Sequence, residues 1–201
     1  MIRRQILRVV LALAPNSSLT RRYAPRPETL AELVAMLDSW ERPLIDVDII
    51  LSASTRPWNP KKISLVSAAL IKIFGGNYSH ASVAMNDYVV AMTSRGLQVS
   101  TREDFHARSI RTLTVDTVQI PASHAKSIIE SGLRYDTSAV VRAICCAAQL
   151  LPYPRPAPLV WPAVTCCSFT LLFKIAPSAS QPRPLPNRYC TPPEICSLSD
   201  S

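Results

Sequence analysis

Between residues 27 and 120 the hydrophobic positions follow two rhythms. In "PETLAELVAMLDSW" (27–40), Leu30, Leu33, Val34 and Leu37 recur at intervals of three and four, which lines one face of a helix. Pro27 and Glu28 suit its first turn, where a missing N–H costs nothing and a carboxylate meets the helix dipole. "LIDVDIILSAS" (44–54) is instead a β-branched run of strand length. "SLVSAALIKIFGG" (64–76) returns to helical patterning and stops at Gly75-Gly76.

Beyond Tyr78 the chain predicts a strand through "SHASVAM" to Met85, a turn at Asn86-Asp87, a second strand over Tyr88 to Met92 and a third around Leu97 to Ser100. Consecutive strands with short turns make an antiparallel meander. "RTLTVDTVQI" (111–120) adds a strand, while "PASHAKSIIESGL" (121–133) and "TSAVVRAICCAAQLL" (137–151) read as helices. Five prolines between 152 and 162 predict an extended loop. "TCCSFTLLFKI" (165–175) then reads as a buried helix. The expectation is an α+β fold: a basic, poorly packed segment over 1–26, one domain over 27–176, and a proline-rich tail over 177–201.

Composition agrees with one domain. The 201 residues are 48% hydrophobic, and 18 prolines against 4 glycines favour rigid connections over flexible ones. A formal net charge of +8 suits contact with phosphate, anionic lipid or an acidic polymer. The arginines are scattered, however, and no RRM, KH, zinc-finger or basic-zipper pattern accompanies them, so no specific nucleic-acid partner is predicted. In "MIRRQILRVVLALAPNSS" Arg8 leaves an apolar run of only Val9 to Ala14. That is too short for a secretory leader or a bilayer span, and predicts a basic helix in a cytoplasmic setting.

The six cysteines form two adjacent pairs, Cys145-Cys146 and Cys166-Cys167, with Cys190 and Cys196 near the end. Adjacent cysteines rarely bridge each other and no C-x-x-C repeat occurs, which favours a reducing compartment. Cys145 and Cys146 read as small core hydrophobes. Thr165 is a suitable N-cap, and puts Cys166 and Cys167 in a first helical turn, where free N–H groups and the helix dipole favour a thiolate. His80 at a strand start is a candidate base. The structural reading of the same residues is a pair of apolar core cysteines and a strand-edge histidine satisfied by a carbonyl. His106 in "REDFHARS" reads as solvated, and His124 in "PASHAKSI" as structural. No metal-ligand spacing or phosphate-binding glycine loop occurs, so no metal and no cofactor are expected.

The order "DVDIILSAS", helix, "YSHASVAM", "YVVAMTSRGLQV" and finally "TCCSF" resembles the circularly permuted papain-like cysteine hydrolases, a phage and bacterial branch of the NlpC-type peptidase superfamily. The resemblance covers roughly residues 45 to 175. It implies a permuted papain-like fold, in which an antiparallel meander or partial barrel packs against helices including the nucleophile helix. It implies His80 as general base and Cys166 as nucleophile, with Cys167 as the alternative. Cys166 is favoured because Thr165, Phe169 and the later Thr191-Pro192 fit the phage-type pattern together. Val47-Asp48 stands where many relatives have Gly-Asp. Ala91 stands where the hairpin often carries a Glu, which leaves the orienting residue open among Thr93, Ser94 and Gln98.

What the resemblance implies is hydrolysis of an amide bond in a peptide, isopeptide or peptidoglycan substrate through an acyl-enzyme, in a cytoplasmic or virion-associated protein. The acyltransferase relatives imply a lipid ester instead, with Arg3, Arg4 and Arg8 meeting an anionic membrane. A papain-like binding module without turnover is the third expectation, motivated by Ala91.

Overall fold

The computed structural model describes residues 27–56, 59–74, 76–136, 140–141 and 163–174. The basic segment 1–26, the cysteines at 145, 146, 190 and 196, Thr191-Pro192, the proline loop 152–162 and the tail lie outside the described residues. So does nearly all of the helix expected over 137–151.

An antiparallel sheet organises the rest. Strand β1 (Ile45–Arg56) carries β6 (Ser109–Ile120) on one side and β3 (His80–Met85) on the other. The meander continues through β4 (Tyr88–Thr93) and β5 (Gly96–Thr101). The β3–β4 turn places Asn86 at φ 49, a left-handed conformation that asparagine tolerates better than most residues. At the β4–β5 turn, Gly96 takes φ 90, which a side chain would strain.

Helix α1 (Pro27–Asp38), α4 (Ala122–Glu130) and α5 (Cys166–Lys174) share one core with the sheet. Leu33 and Leu37 of α1, Val47, Val83, Met85, Val90 and Met92 of the strands, Ala125 and Ile129 of α4, and Phe169 and Phe173 of α5 are all buried in it. A separate cluster of Ile50, Ala84 and Val89 packs against Phe105 of α3 (Arg102–Ala107). Helix α2 (Leu65–Phe74) begins at Ser64, whose hydroxyl accepts the Ser67 N–H at 3.1 Å and whose carbonyl accepts that of Ala68 at 2.9 Å. That is an N-cap.

Three features were absent from the periodicity. Strand β2 (Asn59–Ile63) pairs with β1 through Thr55–Ile63 and Arg56–Asn59, with a register shift between them. Its "NPKKI" has no alternation, and Lys61 and Lys62 are exposed. Helix α3 buries no residue, so no hydrophobic stripe announces it. Its local signal is Thr101, whose hydroxyl accepts the Asp104 N–H at 3.2 Å. The third is a parallel pair, β7 (Arg134–Tyr135) with β8 (Ala163–Val164), too short for any period.

Candidate active site

Hydroxyl groups hold the start of β3. The Ser79 N–H donates to the Ser52 carbonyl of β1 at 3.0 Å, and its hydroxyl bonds Ser67 Oγ of α2 at 2.8 Å. Ser67 Oγ also accepts the Ser54 N–H at 3.2 Å. β1, α2 and β3 thus meet one residue before His80, which pairs with Ser52.

The second half of the site arrives on α5. Arg134 and Tyr135 of β7 pair with Ala163 and Val164 of β8, and the Thr165 carbonyl accepts the Phe169 N–H at 2.9 Å. Thr165 therefore fills the cap position by its backbone, and Cys166 is the first helical residue. Cys166 and Cys167 are 8% and 2% exposed and pack among Ile49, Leu51 and Ala81, with Tyr78 and Val115 alongside. Val115 reaches this cluster from a β-bulge: Ile49 faces Asp116 and Ile50 faces Thr114, so Val115 has no register partner. A bulge re-aims a side chain in this way.

Burial by itself would raise a thiol's pKa. The Cys166 thiol is nevertheless held well below the ordinary value: a hydrogen bond with Cys167 is the largest cause, burial opposes it, and the His80 charge, a hydrogen bond with His80 and the Ala81 backbone N–H add to the lowering. The two sulfurs are 3.8 Å apart. Ala81 of β3, next to His80, packs against the cysteine pair at the start of α5, and His80 is among the groups that act on the Cys166 thiol.

Tyr135 belongs to the same locality. Its hydroxyl is pushed well above the ordinary tyrosine value, chiefly by burial and then by negative charge on Cys166 and Cys167, with a smaller effect from Asp136. It stays protonated beside the thiols. No sequence spacing pointed to it, because its position depends on the β7–β8 pairing across nearly thirty residues.

The proposed orienting residues are not joined to His80 by any hydrogen bond among the described residues. Thr93 Oγ1 accepts the Arg95 N–H and donates to the Gly96 carbonyl, each at 3.2 Å, which closes the β4–β5 turn. Ser94 sits half-buried in that turn, and Gln98 Nε2 donates to the neighbouring Leu97 carbonyl at 3.1 Å. Ala91 is buried, and the hydroxyl of Ser82, two residues along β3 from His80, is buried with no partner among the described residues.

The remaining candidates stand apart from the thiols. Asp48 takes 2.7 Å from Arg102 Nη2 and 2.8 Å from Thr117 Oγ1, tying β1 to α3 and β6. His106 is exposed, with Nδ1 3.4 Å from Thr112 Oγ1. His124 is half-buried on α4, and its Nε2 has no partner among the described residues. An open groove of about 820 Å³ runs between α1 and α4, lined by Leu37, Trp40, Arg42, Lys126 and Glu130 among others, and contains none of the residues around Cys166. Among the described residues no group of three or more His, Cys, Asp or Glu is placed to hold a metal ion, and no helix is long and apolar enough to cross a membrane.

No protein-family model, curated protein or solved structure matches this chain. The observed architecture is a mixed α+β arrangement, with an antiparallel sheet packed against helices.

Proposed function

We propose that the protein is a cysteine hydrolase of permuted papain-like fold, with Cys166 as nucleophile and His80 as general base and acid. The observation that carries this reading is the placement of Cys166, first residue of α5, against Ala81, the residue next to His80 on β3; the downward shift of its thiol, with His80 among the causes, supports it. A buried thiol kept only for packing needs no such partners.

The chemistry follows from that pair. The Cys166 thiolate adds to an amide carbonyl, forming a C–S bond and sending the carbonyl electron pair onto oxygen. Backbone N–H groups at the open end of α5 suit that oxyanion. Collapse of the intermediate breaks the C–N bond as protonated His80 delivers a proton to the departing amine. Neutral His80 then takes a proton from water, hydroxide adds to the thioester, and the carboxylic acid leaves with the thiolate restored.

The amide of a peptide, an isopeptide or a peptidoglycan cross-link is the substrate class proposed. A phospholipid ester is the alternative, served by the same thiolate. The observation favouring a binding module without turnover is Ala91, together with the lack of an orienting partner for the His80 ring among the described residues.

The test is stoichiometric labelling of the full chain by a vinyl sulfone at neutral pH, read by site-resolved mass spectrometry. We expect one label on Cys166, abolished in Cys166→Ala and slowed about a hundredfold in His80→Gln. Labelling no faster than that of a free thiol, or unchanged in His80→Gln, sinks the proposal. The acyl mass left on Cys166 after incubation with cross-linked peptides or with phospholipid vesicles distinguishes the two substrate classes.

A further inference from the structure

Strand β6 is 12 residues long, and among the described residues β1 is its one strand partner. Its other edge is open, and the alternation of backbone groups along β1 fixes what that edge offers. Successive residues of an antiparallel strand send their N–H and C=O to opposite neighbours. The Ser52 carbonyl accepts the Ser79 N–H at 3.0 Å and the Ser54 carbonyl accepts the Ser64 N–H at 2.7 Å, both away from β6. The Thr55 N–H donates to the Arg108 carbonyl at 2.8 Å, just before β6. Odd-numbered residues of β1 therefore face β6, and Leu51–Leu113 and Ala53–Arg111 are hydrogen-bonded pairs. Thr112 and Thr114, opposite Ser52 and Ile50, turn their N–H and C=O outward.

The side chains here add a pattern. Leu113 stands across from Leu51, which packs against the cysteine pair, so it shares the sheet face of Cys166 and is 42% exposed. Arg111, two residues back on that face, is exposed, and its guanidinium has no partner among the described residues. Asp116 is answered by Lys174 at 2.6 Å. Lys61 and Lys62 of β2, a strand close to β6, are exposed as well. Edge strands are commonly blunted by proline, short length or bulges. β6 has no proline, and its bulges at Ile110 and Val115 leave Arg111–Thr114 regular between them. Arg111 repels a strand of like charge and admits an acidic one.

We propose that Arg111–Thr114 is a docking edge for an extended acidic peptide, which joins the sheet as a strand beside β6. Its main chain bonds Thr112 and Thr114, with an apolar residue beside Leu113 and, two positions away, a carboxylate beside Arg111. A lipid headgroup or a nucleic acid would meet the cation but leave these N–H and C=O groups to water. On the cysteine hydrolase reading, on which this last step rests, the docked strand is a flanking segment of the substrate. It lies two strand spacings, about 10 Å, from Leu51, and about three residues of extended chain cover that distance.

The experiment is fluorescence anisotropy of a labelled, end-blocked peptide of repeating Thr-Val-Thr-Glu, titrated with the full chain carrying Cys166→Ala so that the peptide stays intact. The comparisons are a peptide with lysine in place of glutamate, a copy N-methylated at its threonines, and the added substitutions Arg111→Glu, Leu113→Ser and Thr112→Pro. We expect Arg111→Glu, the lysine peptide and N-methylation each to weaken binding by about tenfold or more, and Leu113→Ser by about threefold. An edge strand tolerates proline where its N–H faces outward, so Thr112→Pro should block docking and leave the urea midpoint near that of its parent. If that variant does not fold, the N-methylated peptide tests the same main-chain pairing from the ligand side. No binding, binding indifferent to Arg111→Glu, or equal binding of the plain and N-methylated peptides overturns the proposal. A dimer at sedimentation equilibrium that Thr112→Pro dissociates assigns the edge to a second copy of the chain and overturns it too. A peptide that docks through Arg111 and Thr112, on a wild-type chain that cleaves no amide, supports the docking edge and sinks the hydrolase reading alone.

Discussion

The two ends of strand β1 handle polar groups in opposite ways. At the end near Asp46 and Asp48 the carboxylates are answered in full: Asp48 by Arg102 and Thr117, and Asp46 by Gln119 at 2.9 Å. These groups are partly solvated, and their charge costs little to keep. At the other end, beyond Leu51, serines hang β3 and α2 on the strand, and the nearby ionisable group is the Cys166 thiol, shifted toward its anion although aliphatic side chains enclose it. Keeping an anion there is expensive unless donors meet it. The first arrangement is what a fold needs to hold its strands together. The second is what a reactive group needs.

The largest effect that would separate the two ends is on reactivity. Cys166→Ala should lower electrophile labelling or turnover by on the order of a thousandfold or more. Asp48→Ala should leave Cys166 labelling within about twofold of wild type, because Asp48 touches α3 and β6 rather than the thiols. If both substitutions silence the chain, the contrast between the ends is wrong.

A second expectation concerns pH. The folded Cys166 thiol lies below its ordinary value of about 8.5, so the native chain has released a proton that the unfolded chain still holds. In that window the unfolded state binds more protons, and stability rises with pH. The contribution is complete above about 8.5 and is lost as pH falls through the depressed value. Denaturant midpoints measured from about pH 5 to about pH 9 should rise more steeply for wild type than for Cys166→Ala. Parallel curves would show that the thiolate is not favoured by folding.

Smaller effects fall mainly on stability. Asp48→Ala should cost about 1 to 2 kcal/mol in urea unfolding, reduced by the partial exposure of the Asp48–Arg102 pair. Ser67→Ala removes the hydroxyl shared by Ser54 and Ser79, and should cost about 1 kcal/mol. It should also slow Cys166 labelling a few-fold, because Ser79 precedes His80. A serine variant with normal labelling would place the hydroxyl cluster with the structural end of β1.

How far the chain could be read in advance depended on range. The meander was legible because β3, β4 and β5 follow one another through two-residue turns, and β3 and β4 are short apolar runs buried along nearly their whole length. Helices α1, α2, α4 and α5 were legible from apolar spacing. The short strand β2 and helix α3 were not, since neither needs a hydrophobic stripe. Within the site, the helix-start position of Cys166 and the strand-start position of His80 could be placed from local patterns. The choice of Cys166 over Cys167 could not be made on rotation alone, and Tyr135 enters through a two-residue parallel pair that no periodicity reveals. Thr93 and Gln98 lay on the expected hairpin, but turn closure and a neighbouring carbonyl take up their polar groups.

Helix α5 ends with Lys174, whose ammonium meets Asp116 of β6 at 2.6 Å. Phe169 and Phe173, fully buried with ring centres 5.3 Å apart, hold the middle of the same helix against the sheet. These contacts set the rotational phase of the whole cylinder. A slip of one residue would turn it by about 100° and carry Cys167 to where Cys166 stands. In the proposed hydrolase, which sulfur meets the histidine is therefore decided about two turns away, by two phenylalanines and an ion pair that take no part in the chemistry.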